Sequence, residues 1–287
     1  MEEVITTQKL TKRYGDIAAI EDLDLNVHAG EIFGFLGPNG AGKTTTIRML
    51  TTLTKPTSGR ALVKGFDVVK EPDKVKKMIG VVQQHLSLDR DLTVRENMEF
   101  RARLHNLSAS ERRQRIDELL DYVALTEHAD RIVETLSGGM KKRVSIVSSL
   151  MHRPKVLFLD EPTVGLDAQT RRRLWELIRR LNLDGTTIFL TTHYIEEAEA
   201  LCQRVGIIHR GSLIALGKPL ELRQKLGLVT VETLVNNKET RYQYFADREE
   251  AKRYVQSLPP DVKTIIIRES NLEDVFVEQT GQKVEDD

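Results

Sequence analysis

Apolar and polar positions alternate through the first forty residues. Segments 4–10, 19–27 and 31–36 are rich in β-formers and are broken at Gly15 and Gly30, which predicts three strands. A glycine-rich turn over residues 37–42 runs into segment 43–53, whose composition is helical. Pro56, Ser58 and Gly59 end that helix, and short strands are expected to about Val69. Between Thr93 and about Asp130 the period changes. Leu104, Leu107, Ile116, Leu119, Leu120 and Val123 recur at three- and four-residue spacing, punctuated by Ser108-Ala109-Ser110. A further helix is expected from Ser137-Gly138-Gly139 to about His152. Residues near 85–150 therefore read as a helical insert in an otherwise β/α chain.

The alternation then resumes. Segments 156–159, 186–191 and 205–209 read as short buried strands, and 168–181 and 195–201 as helices between them. Short apolar strands alternating with helices imply a mostly parallel sheet with helices on its faces. A boundary is expected near Gly227, dividing residues 1–228 from an appendage at 229–287. In the appendage, 229–235 and 241–245 flank a hairpin turn at 236–239, a helix is expected over 247–258, and a strand over 263–269. Ser270 and Glu273 have capping-box spacing, which predicts a last helix to about Thr280.

Composition narrows the classes. The 287 residues hold 43 Lys plus Arg and 43 Asp plus Glu, so the chain is formally neutral and does not read as a protein that coats nucleic acid. With 40% hydrophobic residues it has material for a real core. A single cysteine, Cys202, excludes an internal disulfide and fits a reducing compartment. The N-terminus lacks the apolar stretch of a secretory signal, and no apolar run approaches the roughly 18–20 residues of a membrane span. The appendage carries 8 basic and 13 acidic side chains, the rest 35 and 30. Lys141-Lys142-Arg143 and Arg171-Arg172-Arg173 read as solvated helix faces, and Trp175 as packing.

The candidate chemistry starts at the glycine-rich turn. Gly37-Pro38-Asn39-Gly40-Ala41-Gly42-Lys43-Thr44 matches GxxxxGK[ST], between an apolar strand and a helix. The glycines let backbone amides converge on phosphate oxygens, and the helix N-terminus, continued by Thr45, adds partial positive charge. Lys43 should reach the β- and γ-phosphates, and Thr44 should offer its hydroxyl to Mg²⁺. Val156-Leu157-Phe158-Leu159-Asp160-Glu161 is an apolar strand ending in two carboxylates. Asp160 can hold Mg²⁺ through its water shell, and Glu161 can polarise an attacking water.

Leu136-Ser137-Gly138-Gly139-Met140-Lys141-Lys142-Arg143 resembles the LSGGQ signature of ATP-binding cassette (ABC) proteins, with Met140 in place of Gln. Other landmarks follow the family's order. Tyr14 resembles the aromatic residue that stacks on adenine, and Gln84 the Q-loop glutamine. Gln83 competes for that role, and the preceding Ile79-Gly80 favours Gln84. Gly165-Leu166-Asp167 resembles the D-loop, and His193, after Thr191-Thr192, the switch histidine. The resemblance spans about residues 4–220. It implies a P-loop NTPase core of ABC type, a mixed sheet with helices on its faces, that binds ATP and Mg²⁺ and hydrolyses ATP. Glu161 would be the base and His193 would brace the γ-phosphate. Gln84 would sense Mg²⁺ and couple to a partner, and Asp167 would organise the opposite subunit. The family also implies a head-to-tail dimer in which Ser137, Gly138 and Gly139 of one copy cover the ATP of the other.

The ending Ser270-Asn271-Leu272-Glu273-Asp274-Val275-Phe276, with segments 51–56 and 85–97, resembles the ATPase subunits of ABC-2 type exporters, including the daunorubicin-resistance-like group. That implies a separate membrane permease and a peripheral position at the cytoplasmic face of the membrane. The alternative is a soluble ABC ATPase acting on nucleic acid or ribosomes. Such proteins usually carry a long coiled coil between the nucleotide motifs or two cassettes in one chain, and neither is present. A catalytically dead cassette is disfavoured by Lys43, Asp160, Glu161 and His193.

Overall fold

The computed structural model describes residues 2–84, 87–235, 239–259, 262 and 264–281. In chain order, β1 (Glu3–Tyr14) and β2 (Ile17–His28) form a long hairpin, and β3 (Ile32–Leu36) leads to α1 (Lys43–Leu50). Then come β4 (Ser58–Val63), β5 (Phe66–Asp67), α2 (Pro72–Met78), β6 (Ile79–Val82), α3 (Val94–Leu104), α4 (Ala109–Tyr122) and α5 (Gly138–Ser149). They are followed by β7 (Val156–Asp160), α6 (Ala168–Leu183), β8 (Thr187–Thr192), α7 (Ile195–Leu201), β9 (Arg204–His209), β10 (Ser212–Gly217) and α8 (Pro219–Leu226). The chain ends in β11 (Val229–Val235), β12 (Glu239–Phe245), α9 (Arg248–Ser257), β13 (Thr264–Glu269) and α10 (Leu272–Thr280).

The central sheet runs β10-β9-β3-β8-β7-β6, parallel except for β10. Every residue of β3, β7 and β8 is buried, as expected of parallel strands covered on both faces. One face packs on helices, where Leu36, Val82, Leu159 and Ile178 share a core. The other packs on a separate antiparallel sheet, β2-β1-β4-β5, through Phe33, Phe35, Phe158 and Phe189. The rings of Phe33 and Phe158 each lie 5.5 Å from that of Phe189. Strands β1, β2, β4 and β5 therefore form their own layer, and of the three strands expected in the first forty residues β3 alone joins the parallel sheet.

The appendage is a three-stranded antiparallel sheet, β12-β11-β13, with α9 and α10. It is not a free module. Leu272, Val275 and Phe276 of α10 are buried in the same core as the helices of the cassette, and the Leu272 amide donates to Glu199 Oε1 at 3.0 Å.

Two expectations are corrected. The last helix is capped by Asn271, in a capping box with Asp274, one residue later than expected. Ser270 is instead buried and hydrogen-bonded to Thr230 at 2.8 Å. The basic runs are solvated only in part, with Arg172 and Arg173 exposed as expected. Lys142 is buried, and Arg143 donates to the Val123 carbonyl at 2.7 Å. Arg171 stacks 4.6 Å from the Tyr194 ring centroid. Elements α2, β6, β10 and α8 were absent from the sequence reading, being too short to show a period. The hairpin turn expected at 236–239 falls mostly outside the described residues.

Candidate active site

Parallel pairing of β3 with β8 and β9 brings the turn after β3 to the C-terminal edge of the sheet, where α/β folds bind ligands. The Gly37 amide is tied to the Thr192 carbonyl at 3.2 Å. A Cβ at Gly37 would stand 2.4 Å from the Ile208 carbonyl oxygen, and one at Gly42 (φ 111°) 2.5 Å from that of Ala19. Both glycines are thus required by the close approach of neighbouring backbone as well as by any ligand. No side chain caps α1, so its first-turn amides, at Lys43, Thr44 and Thr45, remain available to an anion. Pro38, Asn39, Gly40 and Ala41 form the rim of the turn, with Ala41 buried and Asn39 exposed.

Glu161 is the meeting point. Lys43 Nζ lies 3.0 Å from Glu161 Oε1, and also donates to the carbonyls of Gly37 at 2.7 Å and Pro38 at 3.0 Å. Gln84 Nε2 donates to Glu161 Oε2 at 3.3 Å, and His193 Nδ1 lies 3.4 Å from the same oxygen without hydrogen-bond alignment. Both Lys43 and Glu161 are buried. The Glu161 backbone is left-handed (φ 46°), a conformation a glutamate adopts only when its surroundings impose it. Thr191 imposes it: its hydroxyl and its carbonyl each accept from the Glu161 amide at 3.1 Å.

Asp160, the last residue of β7, accepts from Thr191 Oγ1 at 2.6 Å and from Thr44 Oγ1 at 3.3 Å. The sequence reading missed Thr191, although it stands inside the Thr191-Thr192-His193 run used to find His193.

The other candidates lie apart from this cluster. Ser137 caps α5 by accepting from the Met140 amide at 3.3 Å. A Cβ at Gly139 would stand 2.4 Å from Thr170 Cγ2, so the signature turn packs directly on the first turn of α6. Asp167 caps that turn, accepting from the Thr170 hydroxyl at 2.6 Å and amide at 2.9 Å. Those bonds hold its carboxyl below the usual carboxylate range. Tyr14 ends β1, half exposed, with Lys12 Nζ 4.9 Å from its ring centroid. Ser137, Gly138, Gly139 and Asp167 therefore make a second surface on the same chain.

Residues 20–164 match the sequence model described as "ABC transporter". The chain belongs to the ABC transporter family. As an ABC cassette it is an ATP-binding, ATP-hydrolysing protein. It is 44% identical over 237 residues to the daunorubicin/doxorubicin resistance ATP-binding protein DrrA of Streptomyces peucetius, covering 83% of this chain and 72% of that one. It is 42% identical over 228 residues to the linearmycin resistance ATP-binding protein LnrL of Bacillus subtilis, with 79% and 73% covered. It is 39% identical to the Nod factor export ATP-binding protein I of Ralstonia nicotianae, with 99% and 95% covered. Among solved structures, cbiO1 of Clostridium perfringens, part of the ABC transporter complex cbiONQ, superposes with a TM-score of 0.72 at 31% identity, covering 77% of this chain and 91% of that one. A dimeric ATP-binding cassette in a post-hydrolysis state bound to ADP and Pi gives a TM-score of 0.68 at 30% identity, with 75% and 98% covered. Among the described residues of this cassette, no helix is long and apolar enough to cross a membrane.

Proposed function

We propose that this cassette powers export through a separate ABC-2 type membrane subunit, hydrolysing ATP between two copies arranged head to tail. The observation that carries the reading is the convergence of Lys43, Gln84 and His193 on the carboxylate of Glu161. Hydrolysis of a phosphoanhydride needs a positioned phosphate, neutralised charge and an oriented water. Lys43 and the amides of Gly40, Gly42, Thr44 and Thr45 hold the phosphates. Tyr14 stacks on the base. Glu161 takes the proton of the attacking water, and His193 braces the γ-phosphate and that water. Gln84 reports on the site to the helical insert. Ser137, Gly138, Gly139 and Asp167 serve the opposite copy, which is why they lie on a surface of their own.

Mg²⁺ fits the donor set. Thr44 Oγ1 and Asp160 Oδ1 are hard oxygen donors 3.3 Å apart. Among the described residues no group of three or more His, Cys, Asp or Glu could hold a metal alone. Thr44, Asp160 and Gln84 would be the protein's share of an ion held together with phosphate oxygens and water. Bound there, it would neutralise charge on the transferred phosphate.

An apolar groove beside Gln83 supports a membrane partner. It has a volume of about 470 Å³, and Leu53, Val81 and Leu104 line it together with Lys76, Arg101 and His105. Leu53, Phe100 and Leu104 are each more than half exposed. The relatives named above are resistance and export proteins, which supports export and a peripheral place at the cytoplasmic face of the membrane. Residues 1–228 form the catalytic cassette in this reading, and 229–287 a docked appendage. Tagged recovery from detergent-solubilised native membranes tests it. A stoichiometric partner with several spanning segments is the expected result. Recovery only in the soluble fraction, with nucleic acid or ribosomes attached, would overturn the exporter.

A further inference from the structure

Two residues of α6 that belong to none of the nucleotide motifs reach the histidine loop. Arg171 and Trp175 are four residues apart and share one helix face. The Arg171 guanidinium lies 4.6 Å from the Tyr194 ring centroid, and the Tyr194 ring lies 4.1 Å from that of His193. Trp175, buried, donates its indole N–H to Glu197 Oε1 at 3.0 Å. Glu197 is fully buried on α7, whose first residue is two after His193.

A carboxylate cut off from water keeps its charge only with partners. Burial pushes the Glu197 carboxyl up, and the hydroxyls of Thr192 and Thr163, with the Trp175 N–H, work against that shift. Thr163 stands two residues after Glu161, and Thr192 immediately precedes His193. The aligned bond from the Trp175 indole thus ties α6 to the helix that follows His193. The best-formed bond of Glu197 is to α6; its other oxygen, Oε2, has no aligned partner. His193 stands 3.4 Å from Glu161, short of hydrogen-bond alignment, so a small displacement of its loop decides whether that contact closes. Because α6 begins at the Asp167 cap, the same two contacts tie its N-terminal half to the His193 loop.

We propose that Trp175 and Arg171 are positioning residues for ATP hydrolysis: acting through Glu197 and Tyr194, they hold His193 against Glu161. The inference rests on the role given to His193 above. Steady-state hydrolysis by the full chain tests it. Trp175→Phe keeps the ring and removes the donor. It is expected to lower kcat about tenfold while KM for ATP stays within about twofold, because binding groups are untouched and only alignment is lost. Glu197→Gln keeps an acceptor for the indole and should retain most of the turnover, whereas Glu197→Ala should not. Arg171→Gln, at a partly exposed position, covers the case in which Trp175→Phe does not fold, and should cost about threefold in kcat.

The deciding measurement is in the His193→Ala background. A residue that acts through His193 has nothing left to position there, so Trp175→Phe should add no further loss. Full kcat in Trp175→Phe, or the same fold-loss with and without His193, overturns the inference. Failure of the underlying reading has a different signature: His193→Ala alone would turn over at the intact rate, and the positioning role would fall with it.

Discussion

Two charge clusters in this chain are built on opposite plans. At Arg268, in the appendage, the guanidinium forks onto both oxygens of Asp274 at 2.7 Å each, and its Nε binds Glu232. Asp274 also accepts from the Asn271 amide at 2.8 Å and Thr230 Oγ1 at 3.1 Å. The Asp274 bonds hold Arg268 well above the usual arginine range. Nearly every lone pair is used, and the fork has one good geometry. At Lys43 the cation is a compact ammonium shared among two loop carbonyls and one carboxylate. A phosphate oxygen can replace any of these partners without rebuilding the fold. The first cluster is a fastener that pins α10 to the sheet. The second is a set of contacts made to be exchanged, at the cost of strained backbone at Glu161.

The comparison can be broken in several places. The largest effect should come from Glu161→Gln, which keeps the shape and removes the base. Phosphate release should fall by about 10²–10⁴-fold while nucleotide binding persists. Near-normal turnover would remove Glu161 from the centre of the site. Asp274→Ala takes away the fork from Arg268, whose side chain is 28% exposed. Partial exposure discounts the penalty for an orphaned charge to about 2–3 kcal/mol, read as a lower urea midpoint. Hydrolysis below the melting range should be unchanged, and a stability loss under about 0.5 kcal/mol would mean the fastener is ornamental. Lys43→Ala should do the converse, weakening ATP binding by about ten- to a hundredfold in a calorimetric titration. Unchanged binding would contradict the exchangeable role.

The smallest effect concerns a third polar pair, which is closed only while neutral. His105 and His152 stack at 3.6 Å, and His152 Nε2 bonds the Ile79 carbonyl at 2.8 Å. Burial, with the neighbouring His105, holds His152 at about 4, below its usual 6.5. The folded chain favours the neutral ring, so this contribution is complete above pH 6.5 and is lost as pH falls toward 4. The Tm of the intact chain should drop across that window more steeply than that of His152→Gln. Parallel profiles would show that the pair does not titrate with folding.

Local spacing explains what the sequence disclosed. The phosphate loop, the Asp160-Glu161 strand end, Gln84 and His193 are each announced by neighbours within a few residues, and the structure brings their side chains together. The apolar strands of the central sheet were legible because burial on both faces leaves unbroken runs such as 156–159. What stayed hidden depends on partners far along the chain. Ser270 and Asn271 are both good helix caps, and Glu273 and Asp274 both good capping-box partners. The distant hydroxyl of Thr230 and carbonyl of Leu228, which take Ser270 into the sheet, and the Arg268 fork on Asp274 decide between them. The burial of Lys142 and the pairing of Trp175 with Glu197 have no local mark. Gly139 looked like an opening for an anion, and the structure adds a second demand, since α6 leaves no room for a Cβ.

The left-handed backbone at Glu161 sets local backbone preference against charge. A glycine there would adopt φ 46° without penalty. It would also leave the buried Lys43 ammonium with two loop carbonyls and no opposing charge, a larger loss than the relief of the backbone. Variants of this chain ranked by heat resistance would therefore keep an anion at the position where Lys43, Gln84 and His193 meet. The strained glutamate is retained twice over, once by the resting chain and once by turnover, so a durable form of the protein selected without an activity screen would be expected to keep its engine.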